Sequence, residues 1–271
     1  MKRYKYRFQT ISCLALSPRD HQGFYKDAGD FETKDIRISN HRDKLGNLEN
    51  KINIIYPFYQ YGTYPKYDPK HTQYYIPGSS IKGAILAKDS TEADEQLGIK
   101  LMVDDVSVKS EDLRLHLLYK VQNLAPESEH AIELGDFFPN VAVEMLTRNC
   151  EYTGEMFGNG EYIRRRLSCS QQATKEKLGQ FIELLDNAGM NGRRKVKESS
   201  YVKLQNMQNG VKQILKEMEG NKDSFILLMG GFKGLSLSRQ LSSIDGVKSA
   251  IYVDHVEGSY LPHGLVRIIL E

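Results

Sequence analysis

The stretch Tyr74-Tyr75-Ile76-Pro77-Gly78-Ser79-Ser80-Ile81-Lys82-Gly83-Ala84-Ile85-Leu86 constrains the fold more than any other part of the chain. Pro77 disfavours helical backbone in the residue before it, so residues 74–76 must end extended. Gly78 turns the chain, a serine at 79 or 80 is placed to cap, and Ile81, Ala84 and Ile85 form an apolar stripe at helical spacing. The spacing predicts a strand that turns sharply into a short amphipathic helix. Two residues fit poorly in a helix that only starts and packs. Lys82, read as a first-turn residue, opposes the helix dipole at roughly 0.3–1 kcal/mol, and Gly83 in the interior costs about 1 kcal/mol relative to Ala. Both are accommodated if an anion lies at this helix end, met by backbone N–H groups, two hydroxyls and the ammonium. Gly83 would then leave room for a phosphodiester to approach. An ordinary capped helix with its lysine reaching to solvent fits the same residues.

The remaining chain supplies sheet for that helix. Residues 6–16 alternate as a strand with Phe8, Ile11, Cys13 and Leu14 inward, and the basic lead-in Met1-Lys2-Arg3-Tyr4-Lys5-Tyr6-Arg7 reads as a solvated terminus. Residues 18–50 are polar around a short strand at 35–38, and 51–56 is extended. Segments 101–108, 113–121, 131–134 and 141–146 read as strands, with Arg114, His116, Leu118 and Lys120 on the wetter face of 113–121. A helix bracketed by strands and followed by an antiparallel run predicts an α+β, ferredoxin-like (RRM-like) sandwich. Residues 1–150 are expected to form one such lobe and 151–271 a second, with an inserted helical hairpin. In that second half, 154–166 reads as a glycine-broken loop ending in Arg164-Arg165-Arg166. One helix carries Leu178, Phe181, Ile182, Leu185 and Ala188. A basic linker with Arg193, Arg194 and Lys195 leads to another, carrying Met207, Val211, Ile214, Leu215 and Met218. A strand at 223–229 runs into Gly230-Gly231-Phe232-Lys233-Gly234, and 250–253 and 265–270 complete the sheet.

A formal net charge of +2 excludes a polycation that coats nucleic acid indiscriminately, while 37 Lys and Arg leave enough for a local basic track. Cys13, Cys150 and Cys169 are far apart with no C-x-x-C pair, so reduced thiols in a cytoplasmic protein are expected, and no metal or cofactor. No apolar h-region follows the basic start, and no apolar run reaches membrane-spanning length. G-x-S-x-G and H-E-x-x-H are absent, and the glycine–lysine order at 230–234 is wrong for a Walker A loop. That loop nonetheless offers backbone N–H groups to an anion, with Lys233 and Arg239 nearby. Asp104 and Asp105, adjacent on a strand, would point to opposite faces. Residues 56–75 interleave tyrosines and Phe58 with prolines and cations. This composition suits stacking against unpaired bases, an aromatic loop over the sheet, or a protein contact.

Residues Ile76-Pro77-Gly78-Ser79-Ser80-Ile81-Lys82-Gly83-Ala84 resemble the "IPGSS-hydrophobic-KG" signature of the RAMP superfamily, the RNA-binding subunits of CRISPR effector complexes. Looser pieces follow in the order of the fifth-subunit family of type III-A (Csm) complexes. Leu16-Ser17-Pro18 with His21 resembles its opening, Leu101-Met102-Val103-Asp104-Asp105 its "VSDS" segment, Gly230-Gly231-Phe232-Lys233-Gly234-Leu235-Ser236 its glycine-rich loop, and Leu261-Pro262-His263-Gly264-Leu265-Val266-Arg267-Ile268 its closing strand. The chain is short for that family. The resemblance implies a RAMP fold and a non-catalytic, RNA-binding structural subunit that caps the 3′ side of the crRNA and supports crRNA maturation and antiviral defence. Implied partners are the crRNA, target RNA, other Csm subunits, above all the backbone subunit, and host nucleases. The RNA-binding residues expected are Gly78, Ser79, Ser80, Lys82, Gly83, Gly230, Gly231, Lys233, Gly234, Arg239, Arg164, Arg165, Arg166, Arg193, Arg194 and Lys195. Some RAMP proteins cut RNA without metal through a histidine base, so His21, with Tyr25 and Lys26, marks the alternative of an endoribonuclease. A protein–protein cap with little RNA contact is the third reading.

Overall fold

The basic opening of the chain is the central strand of a sheet. In β1 (Lys2–Thr10), Tyr6, Phe8 and Thr10 are buried, while Lys5, Arg7 and Gln9 lie on the outer side. The structure, a computed structural model, describes residues 1–16, 23–39, 48–86, 100–124, 128–186, 195–220, 222–234, 237, 251–256 and 258–271. The further strands are β2 (Phe24–Tyr25), β3 (Ile54–Tyr56), β4 (Tyr74–Ile76), β5 (Met102–Val103), β6 (Val106–Val108), β7 (Leu113–Gln122), β8 (Glu133–Leu146), β9 (Glu151–Gly158), β10 (Ser224–Leu228), β11 (Ile251–Val256), β12 (Ser259–Pro262) and β13 (Leu265–Leu270). The helices are α1 (Gly78–Ile85), α2 (Gly160–Leu185) and α3 (Glu198–Glu217).

The first sheet has the order β10-β13-β1-β9-β5, with every pairing antiparallel. In chain order β1, α1, β5, β9, α2 and β13 make a β-α-β-β-α-β unit with strands in the order 4-1-3-2, which is the ferredoxin-like arrangement, and β10 extends its edge. Helices α1 and α2 cover one face, where Tyr6, Phe8, Ile81, Ile85, Leu167, Phe225 and Ile268 share a core. On the other face the cations of β1 meet carboxylates of neighbouring strands, as in Arg3–Glu155 (2.6 Å) and Arg7–Glu271 (3.1 Å). The basic lead-in is therefore the solvent row of a central strand and not a loose terminus.

The second sheet has the order β12-β11-β7-β8-β3-β2, antiparallel except at β3–β8. One face packs α3 through Tyr119, Val121, Leu134 and Val253 against Leu204, Met207 and Val211. On the other face, Cys13 and Ala15 from the segment after β1 sit on Leu118, Val143 and Met145. Strands β4 and β6 form a separate pair.

Several expectations change. Both larger sheets draw strands from either side of residue 150, because β9, α2 and β13 finish the unit that β1 begins. Residues 154–166 are β9 and the first turns of α2, not a loop. Gly154 clears room for a ring, since a Cβ there would lie within 2.8 Å of three atoms of Tyr6. Segments 131–134 and 141–146 belong to one strand, β8, whose register against β7 jumps from Phe137 to Ala142. Residues 101–108 split into β5 and β6 at Asp104-Asp105. Residues 35–38 give the end of a 3-10 turn (Thr33–Asp35) and one bridge from Ile38 to Leu115. His116 and Leu118 are buried, because the segment after β1 covers that face. The helical hairpin forms as expected, with α2 packed on α3.

Candidate nucleic-acid interface

Helix α1 starts where Pro77 and Gly78 predict, but its start is satisfied from within the chain. Gly78 N donates to Asp105 Oδ1 at 2.7 Å, and a Cβ on Gly78 would stand 2.0 Å from the Val103 carbonyl oxygen. Position 78 is glycine because α1 presses on the end of β5. Pro77 occupies the cap position and no side chain caps, so the expected serine cap is not made. The helix begins early enough that Lys82 falls in its last turn, where a cation suits the dipole. The predicted electrostatic cost at Lys82 therefore disappears. The cost at Gly83 remains: it is exposed, and nothing lies within 4 Å of where its Cβ would be. Ser79 is exposed beside it, with Ser80 and Lys82 half-buried. At the inner end, Ser170 Oγ donates to the Ile85 carbonyl at 2.6 Å.

The aromatic run divides in two. Glu144, fully buried, accepts from Tyr67 OH (3.0 Å), Tyr74 OH (2.9 Å) and Phe58 N (3.0 Å), tying the segment to β8. Burial pushes the Glu144 carboxyl up, and these three donors offset part of that. The outward part is a cluster beside α1. Tyr61 stacks on Tyr75 at 4.0 Å and 15°, and Tyr59 meets Tyr75 edge-on at 5.7 Å. Burial, then the Asp105 carboxylate, raises the pKa of Tyr61 and Tyr75.

The glycine loop is likewise laced to the chain. Met229 N donates to Gly264 O (2.7 Å) and Gly231 N to Ala15 O (2.9 Å). Gly230 has φ +80°, and its Cβ would lie 2.5 Å from Ala15 O, so glycine is required there. Gly231 is exposed, its φ is not in the left-handed region, and the nearest atom to a Cβ would be 3.9 Å away. A side chain at 231 thus meets no conformational bar. Gly234 also has φ +80°. Burial, then the Lys177 ammonium on α2, lowers the Lys233 pKa to about 8.

Topology places the two motifs relative to each other. Strands β5 and β10 both run parallel to β1, but their registers differ. Val103, beside the Gly78 turn, is level with Tyr4 near the start of β1, and Leu228, before the Gly230 turn, lies one position beyond Thr10, so the two turns do not share one end of the first sheet. They stand at its two edges, four strand spacings or roughly 19 Å apart across the sheet, with a further offset of about seven residues, roughly 23 Å, along the strands. Helix α2 starts from the end of β9, opposite Lys2 of β1, so Arg164-Arg165-Arg166 lies away from the Gly230 turn. Those arginines do not form one patch either, since successive helical residues turn by about 100°. Arg164 pairs with Asp223, Arg165 lies 5.6 Å from the Tyr162 ring, and Arg166 is buried. Lys195 is exposed and its carbonyl accepts from Ile132 N at 3.0 Å. Arg193, Arg194, Arg239 and His21 lie outside the described residues. Of the two residues read with His21, Tyr25 is exposed and Lys26 Nζ donates to Asn50 O at 3.2 Å.

One polar cluster had no sequence signal. Asp254 accepts from Cys13 N (2.7 Å) and Arg148 Nε (2.5 Å), His263 Nδ1 is 3.3 Å from Cys13 O, and His116 Nε2 is 4.0 Å from Cys13 Sγ. Burial lowers His116 to about 4 and lowers His263 too. Burial works to raise Asp254, but Arg148 and His263 hold it below the usual carboxylate range. These residues come from distant segments, so no spacing could reveal them. Among the described residues no group of three or more His, Cys, Asp or Glu could hold a metal ion, and no helix is long and apolar enough to cross a membrane.

No protein-family model matches the sequence, and no curated protein matches it. Two solved structures are similar along nearly the whole chain. One is a chain of a cryo-EM structure of a Csm–crRNA–target RNA ternary complex in a type III-A CRISPR–Cas system, at 12% identity and TM-score 0.45, covering 99% of this chain and 100% of that one. The other is the crystal structure of T. onnurineus Csm5, at 11% identity and TM-score 0.41, covering 97% of this chain and 99% of that one.

Proposed function

We propose that this chain is a non-catalytic, RNA-binding structural subunit of a type III-A CRISPR ribonucleoprotein, holding the 3′ side of the guide RNA and supporting its maturation. The observation that carries the reading is the outer edge of α1. Gly83 stands open with no internal contact to require it, flanked by Lys82 and Ser79. The start of the same helix lies beside the outward Tyr59–Tyr61–Tyr75 cluster, because Gly78 N donates to the Asp105 carboxylate that also acts on Tyr61 and Tyr75. In this reading the Ser79 and Ser80 hydroxyls and the Lys82 ammonium hold phosphates, and Gly83 lets the RNA backbone come close. The loop at Gly230, Gly231, Lys233 and Gly234 is the second anchor. Arg239, Arg193, Arg194 and Lys195 are further phosphate contacts. Partners are the crRNA, target RNA and the other subunits, with host nucleases recruited to trim the guide. A net charge of +2 suits few, well-placed anion sites.

The test is Lys82→Ala in the assembled complex. Guide affinity should fall about equally for all sequences, and the salt slope should drop by about one charge. Unchanged affinity and slope would remove the site. The purified chain should leave precursor RNA intact in EDTA. Cleavage that His21→Ala abolishes would replace this proposal with an endoribonuclease.

A further inference from the structure

The face of the second sheet away from α3 carries a row of aromatic rings that the α1 site does not use. Phe138 and Phe137 have ring centroids 3.9 Å apart, Phe137 and Tyr252 5.2 Å, and Tyr252 and Phe232 6.3 Å. The row crosses β8 and β11 and ends on the glycine loop. Beneath it lie the buried side chains of Leu118, Val143, Met145, Cys13 and Ala15. None of the four rings is itself buried, and Phe138 is 54% exposed.

Both ends of the row are held in unusual backbone. Phe138 has φ 53° and Phe232 φ 49°, a left-handed conformation that bulky residues rarely adopt. Phe138 sits at the register jump of β8, where the strand bulges away from β7. Strain of this kind persists where surrounding structure enforces it, and it concentrates at ligand sites.

Apolar rings alone would suit a protein partner equally well. The cations decide for RNA. Lys120 Nζ stands 4.0 Å over the Phe137 ring, and Lys233, next to Phe232 in the chain, faces a second ammonium from Lys177. The pairing register sets Lys120 opposite Tyr252 and Gly135, so no bulky side chain of β8 intervenes there. Asp136, the acid beside Phe137, alternates to the other face, where it bonds Tyr119. Rings accompanied by ammonium groups that make no ion pair among the described residues match a chain of stackable bases joined by phosphates.

We propose that Phe138, Phe137, Tyr252 and Phe232 form a stacking platform for unpaired bases of single-stranded RNA, with Lys120 and Lys233 taking the adjoining phosphates. This rests on the RNA-binding reading above and extends it to a second surface. The test measures fluorescence anisotropy of a labelled, mixed-sequence single-stranded RNA of about 15 nucleotides with the full chain. Phe138→Ala and Tyr252→Ala should each weaken binding roughly five- to hundred-fold at an unchanged salt slope. Lys120→Ala should lower the slope by about one charge. Phe138→Asn, which tolerates the left-handed backbone, removes the ring while preserving the fold and should bind as weakly as Phe138→Ala. Ring variants that hold RNA as tightly as wild type overturn the platform, including the case where they lose other subunits instead, which would mark a protein contact. If RNA binding falls only with Lys82→Ala, the platform fails and the α1 site stands. A wild-type chain that binds no RNA overturns both.

Discussion

Replacing Gly78 and Gly83 one at a time by alanine separates a glycine the fold requires from one it does not. At Gly78 the new Cβ meets Val103 O at 2.0 Å, Val103 C at 2.7 Å and Asp104 C at 2.9 Å. All three are backbone atoms, so no rotamer change relieves the clash. Helix α1 must lift from β5 by about 1.5 Å to restore ordinary contact, and overpacking of this kind costs about 1–3 kcal/mol. The same movement stretches the 2.7 Å bond from Gly78 N to the Asp105 carboxylate, a charge-assisted bond worth about 1.5–3 kcal/mol. The total, about 2.5–6 kcal/mol, is a large part of the roughly 5–15 kcal/mol that holds a domain folded. At Gly83 the new methyl points into open space, and the gain in helix propensity is about 0.5–1 kcal/mol. Urea denaturation at constant m-value reads both effects. The midpoint should fall sharply for Gly78→Ala and rise slightly for Gly83→Ala, while RNA affinity falls for Gly83→Ala despite its greater stability. A Gly78→Ala midpoint within about 0.5 kcal/mol of wild type would refute the packing explanation. Undiminished RNA binding by Gly83→Ala would refute the use assigned to that open edge.

Glu144→Gln should destabilise by about 1–3 kcal/mol, because bonds to a carboxylate become weaker neutral ones and the Tyr67 and Tyr74 hydroxyls must turn to accept from the amide in a fully buried site. Burial holds the Glu144 carboxyl above its usual range, so the folded state keeps this proton at higher pH than the unfolded state. Wild-type stability should therefore fall as pH rises from the usual carboxylate value through the raised one, and Glu144→Gln should lack that slope in pH-resolved urea titrations. His116 behaves in the opposite sense. Its folded pKa is about 4 against 6.5, so the unfolded chain takes the proton first. Stability should fall by up to about 3 kcal/mol as pH drops through that interval, and His116→Gln should flatten the fall, leaving the part due to His263; an unchanged profile would count against the assignment.

What was legible in the sequence was local. Pro77 acts on the residue before it and Gly78 on the turn, so the entry into α1 could be placed from a few adjacent residues. Alternation in 113–121 and the apolar stripes of α2 and α3 identified strand and helices from neighbours alone. Partner choice was not legible. Strand β1 pairs with β9 and β13, and nothing within Lys2–Thr10 specifies either, because a ladder reads backbone and not side-chain identity. The division at residue 150 failed for that reason. Gly154 and Arg164-Arg165-Arg166 were misread for a related one. A glycine that makes room for the Tyr6 ring looks in sequence like a strand breaker, and three arginines in a row look like a patch until a helix turns them apart.

The glycines of the two motifs show how structure sharpens such a reading. Gly78 and Gly230 are each demanded by the chain itself, through contacts of 2.0 Å and 2.5 Å with its own backbone. Their presence follows from the fold whatever binds outside. Gly83 has no such demand, and as an interior helical residue it lowers stability by about 0.5–1 kcal/mol relative to alanine. Lys82, by contrast, lies in the last turn and carries no dipole cost, so its type alone argues little. The position that weakens the folded chain without internal return is the one most in need of an external ligand. The edge around Gly83, rather than the helix start at Gly78, is therefore the part of the stretch that the proposed RNA contact would explain.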